Sequence, residues 1–528
     1  MGQDIFVRKS TGLVREIGIW GGLFFNIAQG SCMAATPGLN PFFFVYGNSG
    51  NVWLAVIIGT VGALAVNSIY AHFVAAMPRS GGEYVFLGRT MHPLLGFVVN
   101  WTMAVCLTFW VAFNTYWYQD ATRVLLYGIF PVESVAWITT PIGAFLFGAA
   151  MIVIEIIICL IGMKSYIKLQ GIVWALAIIM VVFVGAGYVT ATGNFPAIFN
   201  SWAHQFVPTE PDMYHKIISD AAAKGFSMNR PEGPVMEQTL TFAAQVFAFL
   251  CPYLLVSSYV AGEFKKAESV VRQHIILEGA IIAFILIWIL QGWAWMRMAG
   301  VEFLASFAFL GGVPQLPLTI LSWSWARVVL PLWAAELFIF ACWLSVFVAS
   351  LNLIIAISRC VLAWSFDRLL PSQFAHVSDR FKSPTYAVVA IGIVAIVIWG
   401  LATNAPIYTY ITAVGFWTLV NIVIVSIAGI LFPYLRKDMF DLMPSKIKIG
   451  GIPLLTIIST VALAIALWTS TAYFTNPQFS AYFGVTTTAI SFSILIYALA
   501  VVIFYVSRAY RKRQGINLDL AFKQIPPA

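Results

Sequence analysis

Charged residues are scarce in this chain. Only 9% of its 528 residues are Asp, Glu, Lys or Arg, whereas 61% are hydrophobic. A soluble domain normally carries about 25% charged residues, so the composition excludes a chain of soluble domains and predicts a protein whose solvent is lipid. No polar linker separates compact units, which favours one membrane unit over several domains.

Cysteine pairs and metal-ligand clusters are also missing. The six cysteines all lie in apolar stretches and form no C-x-x-C motif, at Cys32, Cys106, Cys159, Cys251, Cys342 and Cys360. We therefore predict no disulfide bond, no bound metal and no cofactor. No nucleophile–base pair stands out, so we do not expect an enzyme. The net charge of +8 contains no long basic tract, which argues against a nucleic-acid partner.

Long apolar runs predict twelve transmembrane helices. A span needs about 20 mainly apolar residues. Twelve runs meet this requirement, at roughly 17–40, 52–76, 94–118, 138–162, 168–192, 238–261, 274–298, 330–362, 384–404, 409–433, 451–473 and 484–507. The first run is too long for the core of a signal peptide, so we treat it as a retained span.

The basic residues predict the orientation of these spans. An even number of spans puts both termini on one side. Only six of the 29 Lys and Arg residues fall in loops on the opposite side, namely Arg123, Lys216, Lys224, Arg230, Arg297 and Arg327. Cytoplasmic loops carry an excess of Lys and Arg, so we predict cytoplasmic termini and a multi-pass protein of the plasma membrane.

Two predicted outer segments are long. In 193–237, apolar residues recur at helical spacing, at Met213, Ile217, Ile218 and Ala221. This spacing indicates a short surface helix, although an irregular solvated loop fits as well. The segment 299–329 is apolar but broken by Gly and Pro. It either folds back over the outer mouth or lies in the membrane interface, with Trp323 and Trp325 as aromatic-belt residues.

Three motifs occupy successive predicted inner loops. They are residues 78–84 (PRSGGEY), residues 263–266 (EFKK), and residues 358–359 (SR) with 367–371 (DRLLP). Together they resemble the P-x-S-G-G-x-Y signature and accompanying loop motifs of the amino acid/polyamine/organocation (APC) permease superfamily. Ala267 stands where that superfamily often has proline.

The resemblance implies an all-α integral membrane protein of the LeuT type, in which two five-helix repeats are inverted relative to each other. The implied parts are a cytoplasmic N-terminus (1–16), repeat 1 with spans 1–5 (17–192), an extracellular loop (193–237), repeat 2 with spans 6–10 (238–433), spans 11 and 12 (434–507) and a cytoplasmic tail (508–528). The implied activity is secondary active transport of amino acids by alternating access.

Helix breakers near the middle of spans 1 and 6 predict the substrate site. Gly30 interrupts the first span and Pro252 the sixth. A broken helix exposes N–H groups that suit a carboxylate and carbonyls that suit an ammonium group. A packing glycine and an ordinary proline kink are the alternatives. The predicted substrate-binding residues are Asn26, Ile27, Ala28, Gln29, Gly30, Ser31, Phe247, Phe249, Leu250, Cys251 and Pro252.

Span 8 adds three candidates. Asn352 is predicted to touch the substrate, Ser350 to bind a cation, and Trp343 to act as a gate. The two polar residues could equally make interhelical hydrogen bonds, worth about 0.6 kcal/mol on average in membranes.

Ionisable groups in the spans leave the coupling ion open. Intramembrane carboxylates are functional candidates by default, but structural pairing or contact with water is the expectation for His72, Glu155, Glu278 and Glu336. Some superfamily members carry a lysine deep in span 5, whereas here Lys168 lies at its start. Coupling to H⁺, coupling to Na⁺, and exchange all stay open.

The named site residues carry no fixed charge, which favours a neutral amino acid as the substrate. A polyamine or amine carrier would need an acidic pocket, and no carboxylate falls at mid-depth in spans 1, 3, 6 or 8. A membrane sensor or receptor would need an added soluble domain. Besides the substrate and, if transport is ion-coupled, H⁺ or Na⁺, the expected partner is the lipid bilayer, and the sequence does not predict the oligomeric state.

Overall fold

The computed structural model describes most of the chain. The described residues are 12–29, 40–41, 44–45, 50–127, 129–228, 235–250, 255–320, 322–403, 408–443, 446–476 and 486–522. Regular structure in these ranges is helical apart from one short hairpin, in which β1 (Lys448–Ile449) pairs with β2 (Ile452–Pro453). The prediction of an all-α chain is confirmed.

The α-helices are numbered here in chain order. They are α1 (Ile19–Gln29), α2 (Val52–Ala76), α3 (Glu83–Thr90), α4 (Pro93–Tyr127), α5 (Val132–Val135), α6 (Pro141–Ile161), α7 (Met163–Ala191), α8 (Phe195–Ala203), α9 (Met213–Ala223), α10 (Val235–Leu250), α11 (Val270–Ala299), α12 (Val301–Phe309), α13 (Ala326–Val329), α14 (Leu332–Phe366), α15 (Thr385–Ala402), α16 (Tyr408–Leu435), α17 (Lys437–Phe440), α18 (Leu454–Thr475), α19 (Thr487–Arg513) and α20 (Asp519–Phe522). Short 3₁₀ helices cover Ala136–Thr139, Val256–Glu263, Ser322–Trp325 and Ser372–Ala375.

Ten of the helices in the described ranges are long and apolar enough to cross a membrane. They are α2, α4, α6, α7, α11, α14, α15, α16, α18 and α19. Capping side chains help to set where some of them begin. Asn51 accepts a hydrogen bond from the amide of Leu54 at 3.0 Å, and Thr140 accepts one from Gly143 at 3.1 Å. Each bond satisfies an N–H group that has no partner within its helix. Helix α2 starts where its apolar run predicts, and α6 starts three residues later than predicted.

Burial divides these helices into a central pair, α4 and α14, and a set of peripheral helices. In the most apolar stretch of each helix, 83% of residues are buried in α14 and 72% in α4, against 28% in α18 and α19. A helix that is apolar on every side must be buried in protein or surrounded by lipid. The helices α4 and α14 pack against each other. They form the core, and the outer helices present their exposed faces to lipid.

Two predicted spans are described only in part. The described part of α1 has 11 residues and that of α10 has 16. The 3₁₀ helix Val256–Glu263 follows α10 in the chain. The predicted breaks at Gly30 and Pro252 lie outside the described residues, so the twelve-span count and the inverted repeats stay predictions.

A short helix forms in 193–237 as its apolar spacing predicts. This helix is α9, and it buries Met213, Ile217 and Ala221. It packs against α12, where the rings of Tyr214 and Phe303 stack with centroids 4.3 Å apart. The irregular-loop alternative is therefore wrong for this stretch.

The aromatic-belt alternative for Trp323 and Trp325 is also wrong. Both side chains are completely buried. The Trp325 ring lies against Phe307 at 5.0 Å and Phe303 at 5.8 Å, measured between ring centroids. The Trp323 ring lies 6.0 Å from that of Trp117 on α4. An interfacial tryptophan keeps one side in the headgroup region, whereas both of these side chains are packed inside the protein.

Candidate functional site

Asn26 of α1 connects three segments of the chain. Its Nδ2 donates to Ser257 Oγ at 2.8 Å and to the Ile276 carbonyl at 3.0 Å, while its Oδ1 accepts the Ser257 amide at 2.8 Å. Asn26 itself is completely buried. Buried polar groups are costly unless they are hydrogen-bonded, and here every polar atom of the amide is used. The polar stretch in span 1 therefore links α1 to the 3₁₀ helix Val256–Glu263 and to α11.

The other predicted contributors from α1 and α10 are buried where the structure describes them. Ile27, Ala28, Phe247 and Leu250 are each at most 4% exposed. Phe247 packs against α2, where a Cβ added at Gly62 would come within 2.6 Å of the Phe247 ring. Phe247 is therefore part of the packed contact between α10 and α2.

The side chains of the remaining contributors lie outside the described part of the structure. Gly30, Ser31, Cys251 and Pro252 lie outside the described residues, as do the side chains of Gln29 and Phe249. Substrate binding at all of the predicted positions stays a prediction.

Asn352 on α14 is hydrogen-bonded to two other helices. Its Nδ2 donates to the Phe25 carbonyl of α1 at 3.0 Å, and its Oδ1 accepts the Tyr166 hydroxyl of α7. Tyr166 also contacts the Val348 carbonyl at 3.2 Å. The amide thus contacts α1 at Phe25, five residues before the predicted break at Gly30, and acts as an interhelical hydrogen-bonding group. Its contact with a substrate stays a prediction.

Ser350 lies on a different side of α14. It is completely buried, next to Glu155 and Tyr118. Its hydroxyl reaches hydrogen-bond geometry with none of the described residues. The structure therefore separates the two polar residues, with Asn352 directed to α1 and α7 and Ser350 to α4 and α6. The predicted cation at Ser350 stays a prediction.

Trp343 lies between aromatic neighbours on α14. Its ring stacks on Phe347 at 5.5 Å and on Phe340 at 6.1 Å between centroids. Its Nε1 donates to Thr122 Oγ1 of α4 at 2.9 Å. The ring is only partly buried and joins α14 to α4. Its gating role stays a prediction.

The first of the three loop motifs forms a buried polar cluster around Glu83. The carboxylate accepts hydrogen bonds from Tyr70 at 2.5 Å, Tyr259 at 2.7 Å and Asn100 at 2.9 Å. Asn100 in turn accepts the indole N–H of Trp364 at 2.9 Å. Burial raises the pKa of the Glu83 carboxyl, and the three hydrogen bonds act against that shift. The cluster joins α2, α3, α4, α14 and the 3₁₀ helix Val256–Glu263.

A second cluster joins the same motif to residues 367–371. Arg89 Nη2 lies 2.7 Å from Asp367 Oδ2, and both side chains are almost completely buried. The Tyr84 hydroxyl donates to the same oxygen at 2.8 Å. The Arg89 guanidinium also lies 5.1 Å from the ring centroid of Phe522. The short helix α3 is therefore held to the end of α14 by a buried ion pair.

A third cluster joins residues 263–266 to residues 358–359. Arg359 donates from Nε to Glu263 Oε1 at 2.8 Å and from Nη2 to Oε2 at 3.2 Å. Each side chain is 2% exposed. Two parallel hydrogen bonds make this the strongest geometry for an arginine and a carboxylate. The three sequence motifs thus meet in space, although nothing in their spacing indicated which residue pairs with which.

Backbone hydrogen bonds tie the start of α1 to the same region. The Ile17 amide donates to the Glu263 carbonyl at 3.0 Å, and the Lys265 amide donates to the Ile17 carbonyl at 2.9 Å. Gly22 lies against the Phe264 ring, which an added Cβ would approach to 2.5 Å. The N-terminal end of α1 is therefore fixed to the loop that follows the 3₁₀ helix Val256–Glu263.

The intramembrane ionisable groups differ in their pairing. Glu278 pairs with His274 at 2.8 Å, and Glu336 forms an ion pair with Arg327. His72 packs its ring edge-on against His274. Structural pairing is therefore confirmed for Glu278 and Glu336. Glu155 has no ionic partner among the described residues. The described residues also contain no group of three or more His, Cys, Asp or Glu that could hold a metal.

We expect Asn26→Ala to destabilise the protein. The substitution leaves the Ser257 amide buried without its acceptor and removes the donor to Ser257 Oγ, and an unsatisfied buried polar group costs about 1–3 kcal/mol. The free energy of unfolding in detergent micelles measures the loss. Asn200→Ala is the control, because Asn200 also makes two hydrogen bonds, to Asp212 and Tyr214, but lies partly exposed at α8. Equal effects of the two substitutions would contradict the importance assigned to Asn26.

Comparison with known proteins agrees with this arrangement. A family model described as amino acid permease matches residues 22–500, which includes α1, all ten candidate spans at least in part, and the three motif clusters. No curated protein matches the chain.

Proposed function

Since this chain belongs to the amino acid permease family, we propose that it carries amino acids across the plasma membrane by alternating access. The observation that carries the proposal is the family match over residues 22–500, joined to ten apolar helices of spanning length in the described residues. The substrate is a neutral amino acid, moved by coupling to a cation gradient. Helices α1 and α10 are the first halves of two broken spans, which brings the number of spans to twelve.

The positions of two helix breakers support the broken-helix site. Gly30 follows the last described residue of α1, and Pro252 lies two positions after the last described residue of α10. A carboxylate is stabilised by free N–H groups and an ammonium group by free carbonyls, so a zwitterion needs no charged side chain there.

The motif clusters support a movable inner face. Two of them are buried ion pairs and one is a buried carboxylate with three hydrogen-bond donors. They join α3, α4, α14 and the 3₁₀ helix, which are separate elements of the bundle. In this conformation they hold the cytoplasmic ends of these elements together. Opening towards the cytoplasm requires some of these contacts to separate.

Transport in proteoliposomes tests the proposal. The purified protein is reconstituted and offered a panel of labelled amino acids, with sodium, proton and counter-substrate gradients imposed separately. We expect saturable uptake of neutral amino acids under at least one gradient. Strong putrescine uptake without competition by amino acids would favour an amine carrier. Transport only against preloaded substrate would identify an exchanger, and the absence of any transport would favour a sensor.

We expect Gly30→Leu to abolish uptake without preventing membrane insertion. A leucine at the predicted break would favour a continuous helix and fill the space next to the exposed backbone. The matched control is Gly185→Leu on α7, where an added Cβ meets nothing within 4 Å. Uptake by each variant is compared at equal amounts of reconstituted protein. Normal uptake by the Gly30 variant would rule out the proposed site.

A further inference from the structure

Glu155 of α6 is a buried carboxylate with unusually little support. The side chain is completely buried. Its Oε1 accepts one hydrogen bond, from the Tyr118 hydroxyl of α4 at 3.0 Å. Its Oε2 has no hydrogen-bond partner among the described residues, and neither does the adjacent Ser350 hydroxyl of α14. One carboxylate oxygen of Glu155 and the hydroxyl of Ser350 are therefore buried without hydrogen-bond partners among the described residues.

Three other fully buried carboxylates are supported differently. Glu263 and Asp367 each pair with an arginine, and Glu83 accepts three hydrogen bonds. An isolated charge in a protein interior costs several kcal/mol. Glu155 has neither a cation nor a full set of donors, so its surroundings accommodate the neutral, protonated acid.

The titratable groups that interact with Glu155 carry no charge at neutral pH. They are Tyr118 on α4 and Cys159 on α6 itself. Helix α6 packs against α4, α7, α14 and α15. Helix α15 contains no Asp, Glu, Lys, Arg or His. The environment of Glu155 is thus neutral on the helices that surround it.

The charged residues on the other three neighbouring helices are engaged elsewhere or exposed. Asp120 pairs with Arg123 on α4, Arg359 with Glu263 and Glu336 with Arg327 on α14, while Lys164 and Lys168 of α7 are exposed. None of them compensates a charge at Glu155 in this conformation. A proton is therefore the cation that this site can take.

We propose that Glu155 is the proton-binding site through which this permease is coupled to the proton gradient, an inference that rests on the transport function proposed above. A proton on Oε2 forms an O–H bond that can donate to Ser350 Oγ, which satisfies both unpartnered atoms at once. Release of that proton leaves an anion that the closed packing of α4, α6 and α14 does not stabilise. Loss of the proton therefore favours a conformation that admits water to this position.

The position of Ser350 connects Glu155 to the predicted substrate site. Ser350 is two residues from Asn352 on α14, and Asn352 holds the Phe25 carbonyl of α1 at 3.0 Å. Tyr118, the donor to Glu155, lies with its ring 6.3 Å from that of Trp343. A shift of α14 relative to α4 and α6 on protonation would therefore be transmitted to the last turn of α1. Coupling needs such a link between the ion site and the substrate site.

The test compares wild type, Glu155→Gln and the control Glu278→Gln in proteoliposomes. Glu278 is another carboxylate within a candidate span, but it has a histidine partner. For one proton per substrate, an inside-alkaline gradient of one pH unit should raise steady-state accumulation by about tenfold, since the driving force per unit equals a tenfold concentration ratio. We expect this accumulation in wild type and Glu278→Gln. Glu155→Gln should equilibrate substrate without accumulating it, while keeping counterflow.

Counterflow without a gradient separates this inference from the proposed function. Accumulation by Glu155→Gln equal to that of wild type would overturn the inference. Wild-type protein that shows counterflow but no accumulation driven by the proton gradient would also overturn the inference. Amino acid transport would then still be supported. Absence of both activities in wild type would overturn the proposed function, and the inference with it.

Two further measurements guard against a variant that fails to fold. Infrared difference spectra of wild type should contain the carbonyl stretch of a protonated carboxylic acid, and Glu155→Gln should lack it. Tyr118→Phe removes a donor that stabilises the anion, so the pH of half-maximal uptake should move to higher values. A Tyr118→Phe pH profile that superposes on that of wild type would contradict the role of Glu155.

Discussion

Glu263→Gln is expected to produce one of the largest losses of stability in this protein. The substitution leaves the Arg359 guanidinium buried without its carboxylate, and an unpaired buried charge of this kind costs about 3–5 kcal/mol. Uptake should fall as well, because the pair joins α14 to the 3₁₀ helix Val256–Glu263. Unfolding in detergent micelles and uptake in proteoliposomes measure the two effects.

The control for this experiment is Asp438→Asn. Asp438 also pairs with an arginine, Arg436, at 2.9 Å, but its side chain is 64% exposed. Exposed ion pairs contribute about 0–1 kcal/mol, so this variant should stay close to wild type. Replacing Glu263 and Arg359 together by Gln and Met should recover part of the lost stability, because the unpaired charge is then gone. Equal losses for Glu263→Gln and Asp438→Asn would contradict the assignment of the buried pair.

Gly82→Ala is expected to prevent normal folding of the loop that leads into α3 and of its contact with the 3₁₀ helix Val256–Glu263. Gly82 has a φ of +54°, and an added Cβ would lie 2.4 Å from Cδ1 of the Tyr259 ring. An L-residue in the left-handed region costs roughly 1–2 kcal/mol. The overlap adds to this cost, because Tyr259 must move while it donates to Glu83. We expect a low yield of folded protein and no measurable uptake.

Gly450→Ala separates backbone strain from steric overlap. Gly450 lies between β1 and β2 with a φ of +59°, and an added Cβ there meets nothing within 4 Å. Its φ is close to that of Gly82, whereas its surroundings are open. The Gly450 variant should therefore show only the backbone cost. If the two variants behave alike in yield and thermal stability, the contact with Tyr259 is unimportant.

Hydropathy was sufficient to predict most of the long helices. The prediction of 52–76 coincides with α2 (Val52–Ala76), because Asn51 caps the helix at the edge of the apolar run. The prediction of 330–362 ends four residues before α14 does. Arg359 lies inside this predicted span, and its charge is satisfied by Glu263, a distant partner that no local pattern reveals. Tertiary pairing thus allows a charged residue to lie within an apolar helix.

The sequence predicted which residues belong to the candidate site better than it predicted which residues they contact. The polar run from Asn26 marked a position that lipid cannot satisfy, and Asn26 is indeed hydrogen-bonded inside the protein. Its partners Ser257 and Ile276 follow from how α1 packs, which sequence spacing does not determine. Trp323 and Trp325 were misassigned for the same reason, since an aromatic belt and an aromatic core have the same local composition.

The contacts of α1 have a consequence for how the protein is made. Asn26 meets Ser257 across 231 residues, and Phe25 meets Asn352 across 327. At a synthesis rate of about 5–20 residues per second, the ribosome needs roughly 10–50 seconds to add the first of these partners. During that time α1 is in or near the bilayer, and the Asn26 side-chain amide does not yet have its native hydrogen-bond partners. The nascent chain therefore depends on the insertion machinery, or on provisional contacts with α2 and α4, to shelter its first helix until the middle of the protein arrives.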